Sequence, residues 1–406
     1  VSPAPYCAPL PDGREMALWD KAAVDEGGAS AIKLMFNAGE GALRCLKSAW
    51  AERKAGAAAE DASSPAKTPP LMGVKILLFM GTGNNGGDAA VVARLALREG
   101  AEALLCGLHP LPEDLASSQA AATLHLREAL AAGARFFLLP SPDAPLPEDW
   151  ERPDIIVDGL LGTGFTPPLR PEYAALIKRI NNLSGKVISN RASFGGVAEA
   201  RQAPCNVPWA QAGGANAAGF PRPLVLALDI PSGLTAADGA PSPLAVASDI
   251  TVTFEAPKPG LLLPAAAPWL GKLLVHPVGI PLAVQKKYPP AFQILLPGCA
   301  HAGRGPWAMV HKGAAGKVLI IGGSPGLTGA PHLSALAALR GGAGLVRVAC
   351  PSGLEALVKC NSPDIMTLPL GRGGERAPDD WQEEFAAELL LQVLTNDAVI
   401  VGPGLG

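Results

Sequence analysis

Short apolar runs alternate with amphipathic segments through most of the chain. The predicted strands cover residues 74–80, 103–108, 135–139, 154–158, 224–229, 250–254 and 273–276. Between several of them, apolar residues recur at three- and four-residue intervals, which predicts helices at 88–99, 112–132 and 171–182. Apolar strands that alternate with helices are typical of an α/β domain whose parallel sheet is covered on both faces.

Two more patterned regions flank this core. Helical periodicity covers 14–54, and a linker or loop rich in Ala, Ser and Pro follows at 55–70. A second α/β pattern has strands at 317–321, 345–349 and 398–401 and a helix at 329–340. We therefore predict a domain at 1–296, a linker at 297–310 and a second domain at 311–406.

Two features interrupt these patterns. Residues 184–222 show no clear period and are rich in Gly, Ala, Asn and Pro, so we interpret them as a disordered insertion or as sequence foreign to the native protein. The chain starts with Val1 and stops at Gly406, directly after an apolar run and a Gly-Pro-Gly turn. We therefore expect the second domain to be incomplete.

Composition narrows the range of partners. The 406 residues are 49% hydrophobic and carry a net charge of −3, which gives no electrostatic case for nucleic acid or an anionic membrane. No apolar stretch is long enough to span a bilayer, and no signal peptide is visible. The 7 cysteines form no CxxC pair and the 6 histidines lack metal-ligand spacing. We expect a cytoplasmic protein with a small-molecule substrate.

The strongest local signal is GTGNNGGD at 81–88, which directly follows a predicted strand and precedes a helix. Glycines let the backbone approach a ligand closely, and the start of a helix offers free N–H groups to an anion. A tight turn needs glycine in any case, but it does not need two asparagines and an aspartate. The motif therefore favours a binding site.

Two further strands end in similar turns, DGLLGTG at 158–164 and DIPSG at 229–233. Each aspartate taken alone could be a helix cap or a turn former. Ligands of open parallel sheets bind beyond the carboxyl ends of the strands, so the three turns together predict one shared crevice. Their Asn, Asp and Ser oxygens suit a hard cation better than zinc or copper, and spacing alone singles out no particular ion.

At these residues the chain resembles the NAD(P)H-hydrate epimerase family. The segments GTGNNGGD, VDGLLGTGF, LALDIPSGL and VTFEAPKPGLLL follow the family's order, and EMALWDKAAVDEGG and LMFNAG resemble its opening helices. The resemblance covers about residues 10–285 apart from the insertion. It implies a Rossmann-like domain that interconverts the R and S epimers of hydrated NADH and NADPH, an activity of metabolite repair.

The resemblance also implies the roles of particular residues. The substrate would lie against Asn84, Asn85, Gly86, Gly87, Asp88, Gly162, Thr163, Gly164, Phe165, Thr166, Pro167, Pro168 and Asp229. A potassium ion would be held by Asn85, Asp158 and Ser232.

Epimerisation at the hydrated carbon needs a proton acceptor and a proton donor beside it. We expect Asp229 to be the principal catalytic acid/base group and Asp88 the second. Lys258, in APKPG, could instead orient or protonate the substrate, or it could be a solvated loop lysine.

From residue 311 onward the chain resembles the ADP/ATP-dependent NAD(P)H-hydrate dehydratase family in HKGAAGKVLIIGGSPGLTGA, ALRGGAGLVRVA and DAVIVGPGLG. The resemblance implies an incomplete ribokinase-like α/β domain that uses ADP or ATP with magnesium. Ala330, Gly344 and Gly404 would lie in turns facing the hydrate, although tight turns alone also explain them. The family's catalytic aspartate and nucleotide-binding segments do not occur in this sequence, so we expect dehydratase activity only from the complete protein.

Three alternatives stay open. A nicotinamide-dependent dehydrogenase fits the glycine spacing of GTGNNG, but the next strand, AEALLCGL, ends without the acidic residue that such enzymes use. A non-catalytic, dimeric Rossmann-like binding module would carry damaged turns, whereas all three are intact here. A sugar or vitamin kinase is suggested only by the second domain. We also expect a homo-oligomer with contacts through the N-terminal helices.

Overall fold

The computed structural model describes residues 7–57, 71–186, 222–295, 312–371 and 380–406. Contacts within the chain divide it into two compact units, Val1–Ala300 and His301–Gly406. The predicted linker at 297–310 and nearly all of the predicted insertion at 184–222 lie outside the described residues.

The first unit is built around a seven-stranded sheet in which every neighbouring pair runs parallel. Its strands are β2 (Lys75–Met80), β3 (Glu102–Gly107), β4 (Arg135–Leu138), β5 (Ile155–Gly159), β6 (Leu224–Leu228), β7 (Ile250–Phe254) and β8 (Lys272–His276). The spatial order is β4-β3-β2-β5-β6-β7-β8. The seven predicted strands therefore all exist, with ends that differ by about one residue.

The order of the strands reverses at β2. From β2 the chain builds β3 and β4 on one side, and it then returns to build β5 through β8 on the other side. Loops that leave β2 and β5 consequently diverge and open a crevice at the carboxyl edge of the sheet, where ligands of such folds bind.

Helices cover both faces of this sheet. They are α1 (Gly13–Asp25), α2 (Ala31–Ala57), α3 (Asn84–Arg98), α4 (Ala121–Ala131), α5 (Pro171–Leu183), α6 (Ala267–Leu270) and α7 (Leu282–Lys287), with short 3-10 turns at Glu148–Trp150 and Pro259–Leu262. Side chains of a strand point alternately to its two faces. Ile76 and Leu78 thus enter the core formed with α2 and α3, whereas Leu77 and Phe79 pack on the α5 side.

One predicted helix is much shorter than its pattern suggests. The periodicity predicts a helix over 112–132, but α4 begins at Ala121 and the preceding residues form turns. The Arg127 guanidinium donates to the carbonyls of Leu115, Ala116 and Ser118. Those carbonyls are therefore bonded to a side chain and not to the amides of a helix.

A second helix begins earlier than predicted. Helix α3 starts at Asn84 and not at residue 88, so the motif Asn-Asn-Gly-Gly is its first turn. Glycine is a poor helix former, but at these two positions close packing leaves no room for a larger side chain. A Cβ on Gly86 would lie 2.0 Å from the carbonyl oxygen of Gly81, and a Cβ on Gly87 would lie 2.5 Å from the Met35 sulfur.

An antiparallel pair that the pattern does not predict joins the two ends of the first unit. Strand β1 (Cys7–Leu10) pairs with β9 (Phe292–Leu295) in a separate two-stranded sheet. Helix α1 begins next to it with a capping box, because Asp12 accepts from the amide of Glu15 and Glu15 accepts from the amide of Asp12.

The second unit contains a four-stranded parallel sheet in the order β12-β11-β10-β13. Its strands are β10 (Lys317–Ile321), β11 (Leu345–Pro351), β12 (Met366–Leu370) and β13 (Ala398–Val401). The helices are α8 (Gly329–Gly341), α9 (Glu355–Lys359) and α10 (Phe385–Val393), with a 3-10 turn at Ser352–Leu354. Of these elements, β12, α9 and α10 are not predicted from the pattern.

The predicted fold class, two α/β regions with parallel sheets, is confirmed. Within the described part of the chain, no helix combines the length and apolar character needed to cross a membrane.

Substitution of Leu77 by alanine tests the central position of β2. Leu77 is fully buried, so we expect Leu77→Ala to lower the free energy of unfolding by about 2–5 kcal/mol through lost burial and the cavity left behind. Native-state hydrogen exchange of the β2 amides measures this. Leu263→Ala removes an exposed leucine and serves as the control; equal losses in both variants would contradict the assigned core.

Candidate functional site

A cavity of about 530 Å³ opens at the carboxyl edge of the seven-stranded sheet, where the strand order reverses. The loops after β2, β5 and β6 line it, together with α1 and α2. The three turns singled out in the sequence therefore do meet in one hollow. Its volume is within the usual range for small-molecule binding sites.

The start of α3 forms one wall. Gly83 is the N-cap of the helix, and no side chain caps the helix start. A Cβ on Gly81 would lie 2.0 Å from the carbonyl oxygen of Leu160, which brings the turns after β2 and β5 into contact. Asn84, Asn85 and Asp88 line the cavity from this helix.

A buried network joins the ends of β5 and β6. The fully buried Asp158 carboxylate accepts from the Ser232 amide at 2.7 Å and from its hydroxyl at 2.6 Å. The Leu161 amide donates to Ser232 Oγ at 2.9 Å, and the Leu161 carbonyl accepts from Asn85 Nδ2 at 2.8 Å. The three predicted ion ligands, Asn85, Asp158 and Ser232, are thereby connected through one residue.

These groups fit a cation. Asn85 Oδ1 is buried and has no hydrogen-bond partner, although buried acceptors are nearly always satisfied. Burial raises the pKa of Asp158 to about 6, and hydrogen bonds from Ser232 and Leu160 limit the rise. The donors to Asp158 are the amides of Leu160 and Ser232 and the Ser232 hydroxyl group. Because these three groups are uncharged, they do not neutralise the negative charge of the carboxylate. Among the described residues, no cluster of His, Cys, Asp or Glu offers a site for zinc-like metals.

Asp229 and Lys258 form the charged centre of the cavity. Asp229 follows β6 with φ of 62°, a left-handed conformation that is uncommon outside glycine. Lys258 Nζ donates to Asp229 Oδ1 at 2.5 Å, and it also donates to Thr253 Oγ1 and the Phe254 carbonyl at 2.9 Å. Because the Lys258 side chain is only 1% exposed, it is a fixed internal cation and not a solvated loop lysine.

The second oxygen of Asp229, Oδ2, accepts no hydrogen bond from the described residues, and Asp229 lines the cavity. The hydrogen bonds that Asp229 accepts from Lys258, Thr253 and Phe254 all go to Oδ1. A Cβ on Gly162 would lie 3.8 Å from Asp229 Oδ2 and 3.5 Å from Asn85 Cβ. Gly162 thus approaches both groups, and its missing side chain leaves room for a ligand beside Oδ2.

Two more carboxyl groups share this cavity. Burial raises the pKa of Asp88 well above its usual range, and the charges of Asp229 and Asp20 add to the rise while Lys258 opposes it. Asp20, on α1, has an exposed side chain that also lines the cavity, and desolvation by the surrounding protein raises its pKa to about 6, with a further contribution from Asp229. Three acids and one lysine therefore interact electrostatically here.

The remaining predicted substrate residues fall into two groups. Gly162, Thr163, Gly164 and Phe165 line the cavity. Gly86 and Gly87 pack against protein atoms instead, and Thr166, Pro167 and Pro168 lie exposed outside the cavity wall. Contact of these five residues with a substrate stays a prediction.

The three residues predicted in the second unit do not share one surface. Ala330 follows β10 and Gly404 follows β13, so both lie at the carboxyl edge of their sheet, where a Cβ on Gly404 would lie 2.3 Å from the Leu327 carbonyl oxygen. Gly344 precedes β11 and lies at the opposite edge, because the strands are parallel. A Cβ on Gly344 would lie 1.8 Å from the Lys312 carbonyl oxygen, which explains the glycine by packing alone.

Sequence reasoning missed Asp20 and left Lys258 undecided. A signal for Asp20 was available in the spacing along α1, where Gly13, Met16, Ala17 and Val24 also line the cavity. Without a known partner for that face, however, an acidic residue in a helix is most simply a solvated side chain.

Comparison with known proteins places this geometry in a family. A family model described as YjeF-related protein N-terminus matches residues 31–191 and 205–260, more than half of the chain. The chain belongs to this family. A second model, described as NAD(P)H-hydrate dehydratase, matches residues 318–406. The resemblance stated from the motifs is confirmed in both parts of the chain.

Curated relatives are similar over nearly the whole chain. A protein of Salinibacter ruber is 30% identical over 98% of this chain, one of Hyperthermus butylicus is 31% identical over 97%, and one of Escherichia coli is 30% identical over 95%. Each carries the name bifunctional NAD(P)H-hydrate repair enzyme Nnr. The chain spans 65%, 60% and 59% of their respective lengths.

The Asp229–Lys258 pair makes a prediction about stability. We expect Asp229→Asn to lower the free energy of unfolding by about 3 kcal/mol, because it leaves a buried ammonium without its counter-charge. The double variant Asp229→Asn/Lys258→Met should recover most of that loss. Denaturant unfolding of the wild type, Asp229→Asn, Lys258→Met and the double variant forms a double-mutant cycle that measures the coupling energy between the two side chains.

The exposed pair Lys287–Glu26 provides the matched control. Glu26→Gln should leave the unfolding midpoint unchanged, since exposed ion pairs contribute little. If Asp229→Asn and the double variant were equally destabilised, the pairing described above would be wrong.

Proposed function

We propose that the first unit is an NAD(P)H-hydrate epimerase, which interconverts the two epimers of hydrated NADH and NADPH. The observation that carries this proposal is the Asp229 carboxylate, fixed on one oxygen by Lys258 and open on the other toward a cavity at the edge of the sheet. Membership of the family and the names of the relatives support it.

Asp229 is the acid/base group of this proposal. The hydrated carbon of the substrate carries a hydroxyl group and adjoins the ring nitrogen. After an acid in the cavity protonates this hydroxyl, it leaves as water, and the nitrogen lone pair forms a carbon–nitrogen double bond that makes the carbon planar and the ring cationic. Water then adds to the other face and gives up a proton, which Asp229 Oδ2 accepts. Lys258 holds the carboxylate in place through Oδ1.

Asn85, Asp158 and Ser232 hold a potassium ion in this proposal. Support comes from the unsatisfied Asn85 Oδ1 and from the buried Asp158 carboxylate, whose donors are all uncharged. Oxygen ligands without nitrogen or sulfur suit a hard cation. When bound, the ion supplies positive charge that favours anionic groups of the dinucleotide.

The second unit supports a second activity in the complete protein. We propose that it contributes to a dehydratase that restores NAD(P)H from the S hydrate at the expense of ADP or ATP with magnesium. The dehydratase model matches residues 318–406, and Ala330 and Gly404 lie at the carboxyl edge of the sheet. Gly344, at the other edge, has no part in this proposal. We further propose a cytoplasmic homo-oligomer.

The cavity favours an epimerase over the alternatives. A dehydrogenase needs an acidic residue at the end of β3, but that strand ends at Gly107 and leads into Leu108 and His109. A binding module needs no desolvated acids, whereas Asp88 and Asp158 are both buried at the site. Acids whose pKa is strongly perturbed by burial in a cleft are typical of functional sites.

An epimer-exchange assay tests the function. The full chain, mixed with one pure epimer of NADH hydrate in potassium buffer, should accelerate the appearance of the other epimer, followed by chromatography. Asp229→Asn should slow the enzymatic rate by ~10²–10⁴-fold, the usual contribution of an acid/base group. Because this variant is expected to be less stable, Asp229→Asn/Lys258→Met provides a second test with the charge removed as a pair.

Asp143→Asn, an exposed loop substitution, is the control for both variants and should retain the full rate. A folded wild-type protein that does not exceed the rate in buffer would refute the epimerase assignment. A folded double variant with the full rate would instead refute the role of Asp229.

Potassium dependence tests the ion site. Titration with KCl should raise the melting temperature in a saturable way when choline chloride keeps the ionic strength constant, because a ligand that binds only the folded state stabilises it. Asp158→Asn should abolish the increment, and Asp143→Asn should keep it. A melting temperature that does not respond to potassium, or a response that survives Asp158→Asn, would contradict the assignment.

A further inference from the structure

Asp20 occupies the cavity-facing stripe of α1. The residues of this helix that line the cavity are Gly13, Met16, Ala17, Asp20 and Val24. Spacings of three and four residues place all five on one side of a helix. The stripe is apolar or small at every one of these positions except Asp20. A carboxyl group is therefore presented to the cavity from a surface that otherwise suits a flat apolar ring.

Of the acids in and next to α1, Asp12, Glu15 and Glu26 have structural partners, whereas Asp20 and Asp25 have none among the described residues, and only Asp20 lines the cavity. Asp12 and Glu15 cap the helix, and Glu26 binds Lys287 and Tyr288. In the described part of the chain, the Asp20 carboxyl group makes no hydrogen bond and no ion pair. Its side chain is exposed and lines the cavity, so its carboxyl group can contact a ligand there.

The charges that act on Asp20 come from the ends of β6 and β7 and from α3. They are the carboxyl groups of Asp229, Glu255 and Asp88 and the ammonium of Lys258. Glu255 is already engaged, because it accepts from the amides of Val278, Gly279 and Ile280. Asp20, Asp88 and Asp229 together thus have one internal cation between them, an imbalance that favours retention of a proton by the cluster.

We propose that Asp20 is a further catalytic residue of the epimerase, the acid that protonates the leaving hydroxyl group of the hydrated ring while Asp229 accepts the proton of the incoming water. The inference rests on the proposed function. Residue 20 precedes the matched range, which begins at residue 31, so the family match assigns it no role.

The two half-reactions balance in atoms and electrons. Asp20 donates its proton to the hydroxyl, the carbon–oxygen bond breaks, water leaves, and the ring nitrogen shares its lone pair with the carbon. A water molecule then forms a new carbon–oxygen bond on the other face, the nitrogen recovers its pair, and Asp229 Oδ2 takes the released proton. The proton returns from Asp229 to Asp20 through solvent in the cavity.

Two acids on different walls suit this stereochemistry. Inversion removes an oxygen from one face of the ring and adds one to the other face, so a single carboxyl group cannot serve both positions without moving. Asp20 is on α1, whereas Asp229 follows β6, and both residues line the cavity. The raised pKa of Asp20, about 6, keeps part of it protonated near neutral pH.

The test compares Asp20→Asn with Asp25→Asn, which makes the same change on an exposed position of the same helix outside the cavity. Exchange between the epimers is measured from pH 5 to 8 with the full chain. We expect Asp20→Asn to reduce kcat by ~10²–10⁴-fold with little change in KM. In the wild type and in Asp25→Asn, kcat/KM should fall as pH rises above about 6, because Asp20 loses its proton there. In Asp20→Asn this decrease should be absent.

Stability provides the second readout. Asp20 has no partner to lose, so the melting temperature of Asp20→Asn should equal or exceed that of the wild type. A folded Asp20→Asn variant with the wild-type rate and the same pH limb would overturn the proposal while leaving the epimerase assignment intact. A wild-type protein without exchange activity would refute the epimerase itself, so the two failures are distinguishable.

Discussion

The buried hydrogen bonds between Asp158 and Ser232 are the constraint on which the site depends. They tie the end of β5 to the turn after β6, and the adjoining Leu161 ties both to Asn85 at the start of α3. These contacts hold together three loops that leave the sheet on either side of its point of reversal. In that low-dielectric interior each hydrogen bond is stronger than in water, and an unpaired charge is costly. A cation bound here would therefore give Asn85 Oδ1 a partner and balance the charge of Asp158.

The acids of the cavity divide into two kinds by what surrounds them. Asp229 is hydrogen-bonded through Oδ1 to an ammonium that is itself buried, so its position is fixed although its Oδ2 accepts no hydrogen bond from the described residues. Asp20 and Asp88 lack such a partner and have raised pKa values, because the protein around them limits hydration and the neighbouring charges are negative. Environments that push similar groups toward different protonation states are how one site provides both an acid and a base.

The sequence was sufficient for the parallel α/β organisation and for the three turns at the cavity. Apolar runs such as 74–80 have one reasonable interpretation, and strand-end aspartates in glycine-rich turns converge by topology. It was not sufficient where tertiary contacts override local preference. Gly86 and Gly87 lie inside a helix because neighbouring atoms leave no room for a side chain, and the carbonyls of Leu115 and Ala116 are bonded to Arg127. Asp20 was missed because its partner surface, a cavity wall, exists only after folding.

The antiparallel pairing of β1 with β9 has a consequence for how the first unit can be separated from the second. These two strands are far apart in the chain but pair in one sheet, so the pairing joins the N-terminal part of the first unit to its C-terminal part. A piece that stopped short of Phe292 would leave the backbone groups of Cys7–Leu10 without partners and expose an edge prone to self-association. A shorter piece that also lacked Tyr288 would lose a contact of α1, because the Tyr288 carbonyl, just before β9, accepts a hydrogen bond from the Trp19 indole. The far end of the unit therefore helps to set the wall of its own cavity.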